Sequence, residues 1–211
     1  TLTTGAIAVG NNQALGTGTL SLNGGTLRSG SLAHALANVV SLAASSTVSG
    51  DENLTLNGNF TNTNNLTLTN NSTALVTLGN VNISNSGTNR TLTFGGTGNT
   101  SVSGVIANGS TSTASAISKT GTGTLTLSGL NTYAGATTIN GGVLSANTLA
   151  NGGAASSIGQ SSNASGNLIL GGGVLEYTGS SVSTNRNYTL TAATSSGIGV
   201  SNAFAVLTMT G

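Results

Sequence analysis

Apolar and polar residues alternate along this chain in short bursts. They are LSLNG (Leu20 to Gly24), LTLNG (Leu54 to Gly58), LTLTN (Leu66 to Asn70), VNISN (Val81 to Asn85), LTFGG (Leu92 to Gly96), LTLSG (Leu125 to Gly129), LILGG (Leu168 to Gly172) and LTMTG (Leu207 to Gly211). Each burst has period two and ends in Gly or Asn, residues that tolerate the left-handed backbone of a turn. The pattern predicts short strands with one buried face. Helix signals are weak, because Thr, Val, Ser, Asn and Gly are poor helix formers and the chain has too few charges for stabilising i,i+4 pairs. For the Ala-rich run Leu32 to Ala44, a loop leading into a strand at Asn38 to Leu42 is a simpler reading than a short helix.

Repetition occurs on two scales. A small unit recurs as NGGTL (Asn23 to Leu27), NGGVL (Asn140 to Leu144) and GGGVL (Gly171 to Leu175). On the larger scale Leu15-Gly16 aligns with Ile158-Gly159, Gly24-Gly25 with Gly172-Gly173, and Leu54 to Gly58 with Leu207 to Gly211. The offset drifts from 143 to 148 to 153 residues, as five-residue loop insertions would make it. One-sided strands without two-residue Asn-Gly hairpins favour a coil of parallel rungs over a meander. The expected fold is all-β, a right-handed parallel β-helix (β-solenoid) running continuously over residues 1–211. At roughly 20 to 25 residues per rung it has about nine rungs, and neither terminus reads as a cap, as in an excerpt of a longer array.

Composition supports a folded but chemically sparse object. Only 3% of the 211 residues are charged, the net charge is +1, 33 are Gly, and Pro, Cys and Trp are absent, yet 36% are hydrophobic. Four scattered cations, Arg28, Arg90, Lys119 and Arg186, make no phosphate-neutralising stripe and no polybasic patch, so nucleic acid is not an expected partner. No run reaches the roughly 18 apolar residues of a membrane-spanning helix; Ser31 to Val48 comes nearest and is broken by His34, Asn38 and serines. The chain starts at Thr1 without a basic or apolar leader, so an export signal is expected outside this piece.

The stretch KTGTGTLTLSGLNTYAGATTINGGVLSA, Lys119 to Ala146, carries a family resemblance. It resembles the passenger-associated transport repeat of autotransporter passenger domains, whose pattern runs Lys-x-Gly-x-Gly-x-Leu-x-Leu-x-Gly, then Asn-x-Tyr-x-Gly-x-Thr, then Gly-x-Leu. Lys119, Gly121, Gly123, Leu125, Leu127, Gly129, Asn131, Tyr133, Gly135, Thr137, Gly142 and Leu144 occupy those places. The resemblance implies a surface-exposed or secreted β-helical passenger whose rungs, folding in succession, ratchet the chain outward during export. Asn53 to Gly104, where a tandem copy would stand, shows only Asn-rich, degenerate strands.

Reactive chemistry is thin. Asp51, Glu52 and Glu176 are the only acids; Asp51 and Glu52 would point to opposite faces of a strand, and Glu176 is remote in sequence, so no catalytic carboxylate pair is expected. His34 reads as a loop histidine, since no Gly-x-Ser-x-Gly elbow is present to make a nucleophile of a serine. GGTGN (Gly95 to Asn99) has Asn where a calcium-binding turn needs Asp. No catalytic residue, cofactor or metal ligand is therefore expected. Asparagines are expected to stack in ladders at rung corners. Tyr133, Tyr177 and Tyr188 are candidates for a glycan-stacking platform, or alternatively for core caps at corners. The expected function is a non-enzymatic extracellular stalk or self-associating surface fibre segment. An adhesin shaft that binds glycans or other cells is the alternative, and a polysaccharide-active hydrolase or lyase the remote one.

Overall fold

The structure, a computed structural model, describes residues 1–191 and 195–211. Each of the eight alternating bursts contains a strand, and among the described residues the one helical element is a single 3-10 turn, Ser165–Asn167. The strands form three walls. A nine-strand wall runs from Ala6–Val9 to Thr189–Leu190, an eight-strand wall from His34–Leu36 to Gly197–Val200, and a five-strand wall from Leu20–Asn23 to Ile106–Ala107. Val182–Thr184 and Leu207–Met209 form a separate two-strand sheet.

One circuit shows how a rung is built. Ser46–Ser49 lies in the nine-strand wall, Leu54–Leu56 in the eight-strand wall and Phe60–Asn62 in the five-strand wall; Leu66–Asn70 then returns to the nine-strand wall. Successive strands of a wall pair in parallel, so the chain is a β-solenoid of about nine rungs, roughly 40 Å long at about 4.8 Å per rung. Inward residues stack in columns, such as Leu54, Val76, Thr100, Leu125, Leu144 and Leu175 on the eight-strand wall. Next to it, Thr55, Thr77, Ser101, Thr126 and Ser145 form a column on the outer face. The alternation in the sequence is thus an inside–outside code, and burial of the inner columns is the main favourable term in folding.

Rung length varies while register is kept along the walls, apart from one shift between Leu22 and Asn23. Ala6 pairs with Thr26, Leu66 with Leu92 and Thr137 with Leu168, steps of 20, 26 and 31 residues. The surplus leaves the walls at the corners. This overturns the long offset read from the sequence. Asn23 to Gly25 joins the five-strand wall to the nine-strand wall, whereas Gly171 to Gly173 joins the nine-strand wall to the eight-strand wall. The two segments look alike because any corner needs the same turn chemistry, and the structural period is a single rung. The run Leu32 to Ala44 contains two strands, His34–Leu36 and Val40–Ala44, so His34 opens a strand instead of sitting in a loop.

Candidate functional site

Lys119 ends the strand Ala116–Lys119, in an inward column between Phe94 and Ile139. A strand that alternates apolar-in and polar-out places a lysine inside the bore here, and the residue is only 3% exposed. The corner resolves the conflict. Its aliphatic stem continues the apolar column. The ammonium donates to the carbonyls of Thr120 (2.7 Å), Gly121 (3.0 Å) and Gly141 (3.2 Å). Two of those acceptors belong to its own corner and the third to the corner of the next rung, so one side chain ties two turns together. Desolvation by burial pulls its pKa down to about 8. Gly121 has φ +71, and a Cβ there would run into the Gly96 backbone, so the corner requires glycine twice over.

Beyond this corner the five-strand wall stops, and a polar network takes its place. Asn131, fully buried, accepts from the Ile106 amide through Oδ1 (2.7 Å) and donates through Nδ2 to the Ser157 carbonyl (2.7 Å). The fully buried Tyr133 hydroxyl lies 2.7 Å from Thr137 Oγ1, which donates to the Ile158 carbonyl. These bonds hold residues 147–163, an excursion without a strand, against the rungs. The same excursion closes over Arg186, which is 2% exposed. Its guanidinium donates to the carbonyls of Ala150 (2.9 Å), Ala154 (3.2 Å), Gly159 (2.8 Å) and Ser161 (3.2 Å), and to Ser161 Oγ (3.1 Å). Neutral oxygens thus replace the carboxylate that a buried guanidinium usually finds. Burial lowers the Arg186 pKa, and the neighbouring Tyr133 opposes that shift. The Tyr133 phenol is pushed up by burial, with the Thr137 bond and the Arg186 charge acting against it.

The remaining motif positions serve the same rungs. Leu125, Leu127 and Leu144 are fully buried in the columns, Gly123, Gly129 and Gly135 lie in bends between strands, and Gly142 turns the corner after Thr137–Ile139 with φ +62. The family model for the passenger-associated transport repeat matches residues 117–146. Those residues are a passenger-associated transport repeat. Over 94 residues, 44% of this chain, the sequence is 53% identical to the adhesin BmaC autotransporter of Brucella suis biovar 1 (strain 1330). The aligned part is 3% of that adhesin, so the chain spans a small fraction of its relative's length. No solved structure matches the chain. Within the transport repeat, every polar residue of the motif with a buried side chain has a bonding partner in its own or an adjacent rung: Lys119, Asn131, Tyr133 and Thr137.

The tyrosines are placed differently from the glycan platform. Tyr133 has no exposed surface and Tyr177 has 3%, with its hydroxyl donating to the Ser180 carbonyl (2.6 Å). Neither ring can stack on a sugar, so the expected three-tyrosine platform does not form; Tyr188 is 42% exposed. Both follow the alternation of their segments: residues 131, 133, 135, 137 and 139 are buried, as are Leu175 and Tyr177 on the strand Val174–Tyr177. Arg186 escaped the sequence reading, since its partners lie 25 to 36 residues upstream in an irregular segment.

Acids and histidine do not converge. Asp51 and Glu52 sit in the bend before Leu54–Leu56, and Glu176 lies on the strand Val174–Tyr177 five rungs further along the same wall, on the order of 24 Å away. Paired-carboxylate hydrolysis uses separations of about 5 to 9.5 Å. His34 meets Asn12 (Nδ1 to Oδ1, 3.3 Å) and not Asp51. Among the described residues no three His, Asp or Glu side chains gather as metal ligands, and no helix is long and apolar enough to cross a membrane. In place of the expected asparagine ladders, asparagine side chains cap the neighbouring rung's backbone. Asn53, Asn65, Asn80 and Asn99 each accept, through Oδ1, from an amide one rung ahead, those of Leu75, Thr91, Val105 and Thr124.

Proposed function

We propose that this chain is a non-enzymatic shaft segment of the passenger of an autotransporter-like protein, standing at the bacterial cell surface or outside the cell. The observation that carries this reading is the transport repeat embedded in the parallel nine- and eight-strand walls, its buried polar residues spent on joining rungs. A rod of that construction holds distance and presents its surface, and its near absence of charge lets identical rungs stack without like-charge columns. The test is small-angle scattering of the purified chain together with antibody labelling of intact cells that express the parent protein. A rod about 40 Å long with its epitope on the outside of the cell is expected. A globular envelope, or an epitope reached only after permeabilisation, overturns the reading.

The adhesin name of the relative favours a second reading, in which the same shaft carries a contact surface for other cells. Beads coated with the chain would then adhere to host-cell monolayers, and beads that do not would leave the shaft role alone. Self-association into fibres is the remaining variant. It predicts light scattering that rises with protein concentration.

A further inference from the structure

In the first rung, the place of an eight-strand-wall strand is taken by a run of turns. Ala6–Val9 belongs to the nine-strand wall and Leu20–Asn23 to the five-strand wall, and residues 10–19 between them contain no strand. The loop is nevertheless fixed. Asn12 Oδ1 accepts from the Ala35 amide (3.0 Å), Asn11 Oδ1 accepts from the Gln13 amide (2.9 Å), and Asn38 Nδ2 donates to the carbonyls of Gly16 (3.0 Å) and Gly18 (2.7 Å). Between the loop and the second rung lies a cavity of about 580 Å³, bounded by Gly10 to Gln13 and Leu32 to His34. A second, of about 280 Å³, continues it past Asn12 and Gln13 toward Asn38.

The chemistry of the lining is specific in what it offers. No charged side chain borders either cavity. The Ala35 amide fixes Asn12 Oδ1 as an acceptor, and an amide oxygen only accepts, so the bond to His34 places the proton on Nδ1 and leaves Nε2 as an acceptor. The Nδ2 groups of Asn11 and Asn12 and the side-chain carboxamide of Gln13 add donors and one more acceptor, with no partner among the described residues. Leu32, 68% exposed, supplies an apolar edge. Donors and acceptors interleaved without charge, beside an aliphatic surface, complement a ligand whose hydroxyls both give and take and whose C–H faces are apolar. The larger space is broad and open to solvent, so a bound ligand keeps much of its surface in water.

We infer that this bulge is a binding site for a neutral saccharide. The inference deepens the adhesive reading above and rests on it for its biological setting. Without an aromatic platform, binding depends on hydrogen bonds and is weak, with Kd on the order of 1 mM.

The test is saturation-transfer difference NMR on the 211-residue chain with lactose, cellobiose and maltose as probes. At least one is expected to give saturable transfer, weakened about fivefold or more by Gln13→Ala and by Asn11→Ala, which sit on the exposed loop, and unchanged by the remote Tyr188→Ala. Unchanged melting of each variant shows that the fold is kept. The inference is overturned by the absence of transfer from all three sugars at about 10 mM. It is equally overturned by transfer that survives both loop substitutions, or by a sialylated or sulfated sugar that displaces the neutral one at lower concentration. Saccharide binding by a chain whose parent is not surface-exposed would refute the passenger reading while leaving the site intact.

Discussion

The five-strand wall and the segment that succeeds it close the same side of the solenoid by opposite means. From Leu20 to Ile106 the wall is held by apolar columns: Leu20, Val40, Phe60, Val81 and Ile106 stack in one, and Leu22, Leu42 and Asn62 in the other. From Asn131 to Arg186 the closure is made by Asn131, Tyr133, Thr137, Ser156, Ser157 and Arg186, all at most 2% exposed and all hydrogen-bonded. An apolar column accepts many side chains of similar volume, whereas a buried polar network is stable only when each member finds its partner. The first region is therefore generic and the second specific. The transport repeat lies where one gives way to the other.

The comparison breaks most decisively at Arg186. Arg186→Met removes the charge-assisted hydrogen bonds to the carbonyls of Ala150, Ala154, Gly159 and Ser161 and to Ser161 Oγ, and is expected to cost about 3–5 kcal/mol in urea denaturation. Hydrogen exchange should rise first in residues 147–163. An equal loss of protection along the five-strand wall would show that the two regions are not separable.

A pH titration comes next. The folded pKa of Lys119, about 8, lies below its unfolded value of 10.5, so between these the unfolded chain binds the extra proton and stability rises with pH, by up to about 3 kcal/mol. Tyr133 acts in the other direction. Its raised pKa means that stability is lost once the unfolded phenol ionises above about pH 10, so the window to measure is pH 8 to 10. Denaturation midpoints that increase across that window, and a flatter profile in Lys119→Met, are expected.

A matched pair of substitutions sharpens the contrast further. Asn131→Leu strands the Ile106 amide and the Ser157 carbonyl and is expected to cost about 2–3 kcal/mol. Asn62, equally buried, has an Oδ1 without a hydrogen-bond partner, and its Nδ2 donates to the Asn64 and Ile83 carbonyls. Asn62→Leu gives up both donations but also removes the unpartnered oxygen, so a smaller cost of about 1 kcal/mol is expected. Equal costs at the two positions would erase the distinction between the regions. The smallest effect is at a corner on the generic side, where Asn80→Ala leaves the Val105 amide to water and should cost about 0.5 kcal/mol in the same denaturation assay.

Strand existence, the inside–outside code and the rung count were legible because period two is local and survives in any parallel stack. The transport repeat was legible for a related reason, since its residues follow one another within about one rung. Corner identity was not. NGGTL and GGGVL contain the same turn residues yet join different pairs of walls, and only pairing partners 19 to 31 residues away distinguish them. The enclosure of Arg186 belongs to the same class. It depends on where an irregular excursion returns, which no periodicity encodes. The bulge at residues 10–19 was equally silent, since its turns look like any Gly- and Asn-rich linker.

At the corners that precede the eight-, nine- and five-strand walls, Asn12, Asn53, Asn65, Asn80 and Asn99 bond one way, from a side-chain oxygen on one rung to an amide on the rung that follows. Those corners give the stack a chemical arrow. A cut across one of them leaves a side-chain oxygen on one surface and the peptide N–H it served on the other, beside the mixed donors and acceptors of the strand edges. At these positions two such surfaces match head to tail, while like surfaces meet donor against donor or acceptor against acceptor. A rod built on this rule carries its polarity in its corners as well as in its strand direction, and material joined end to end would keep a single sense along its length.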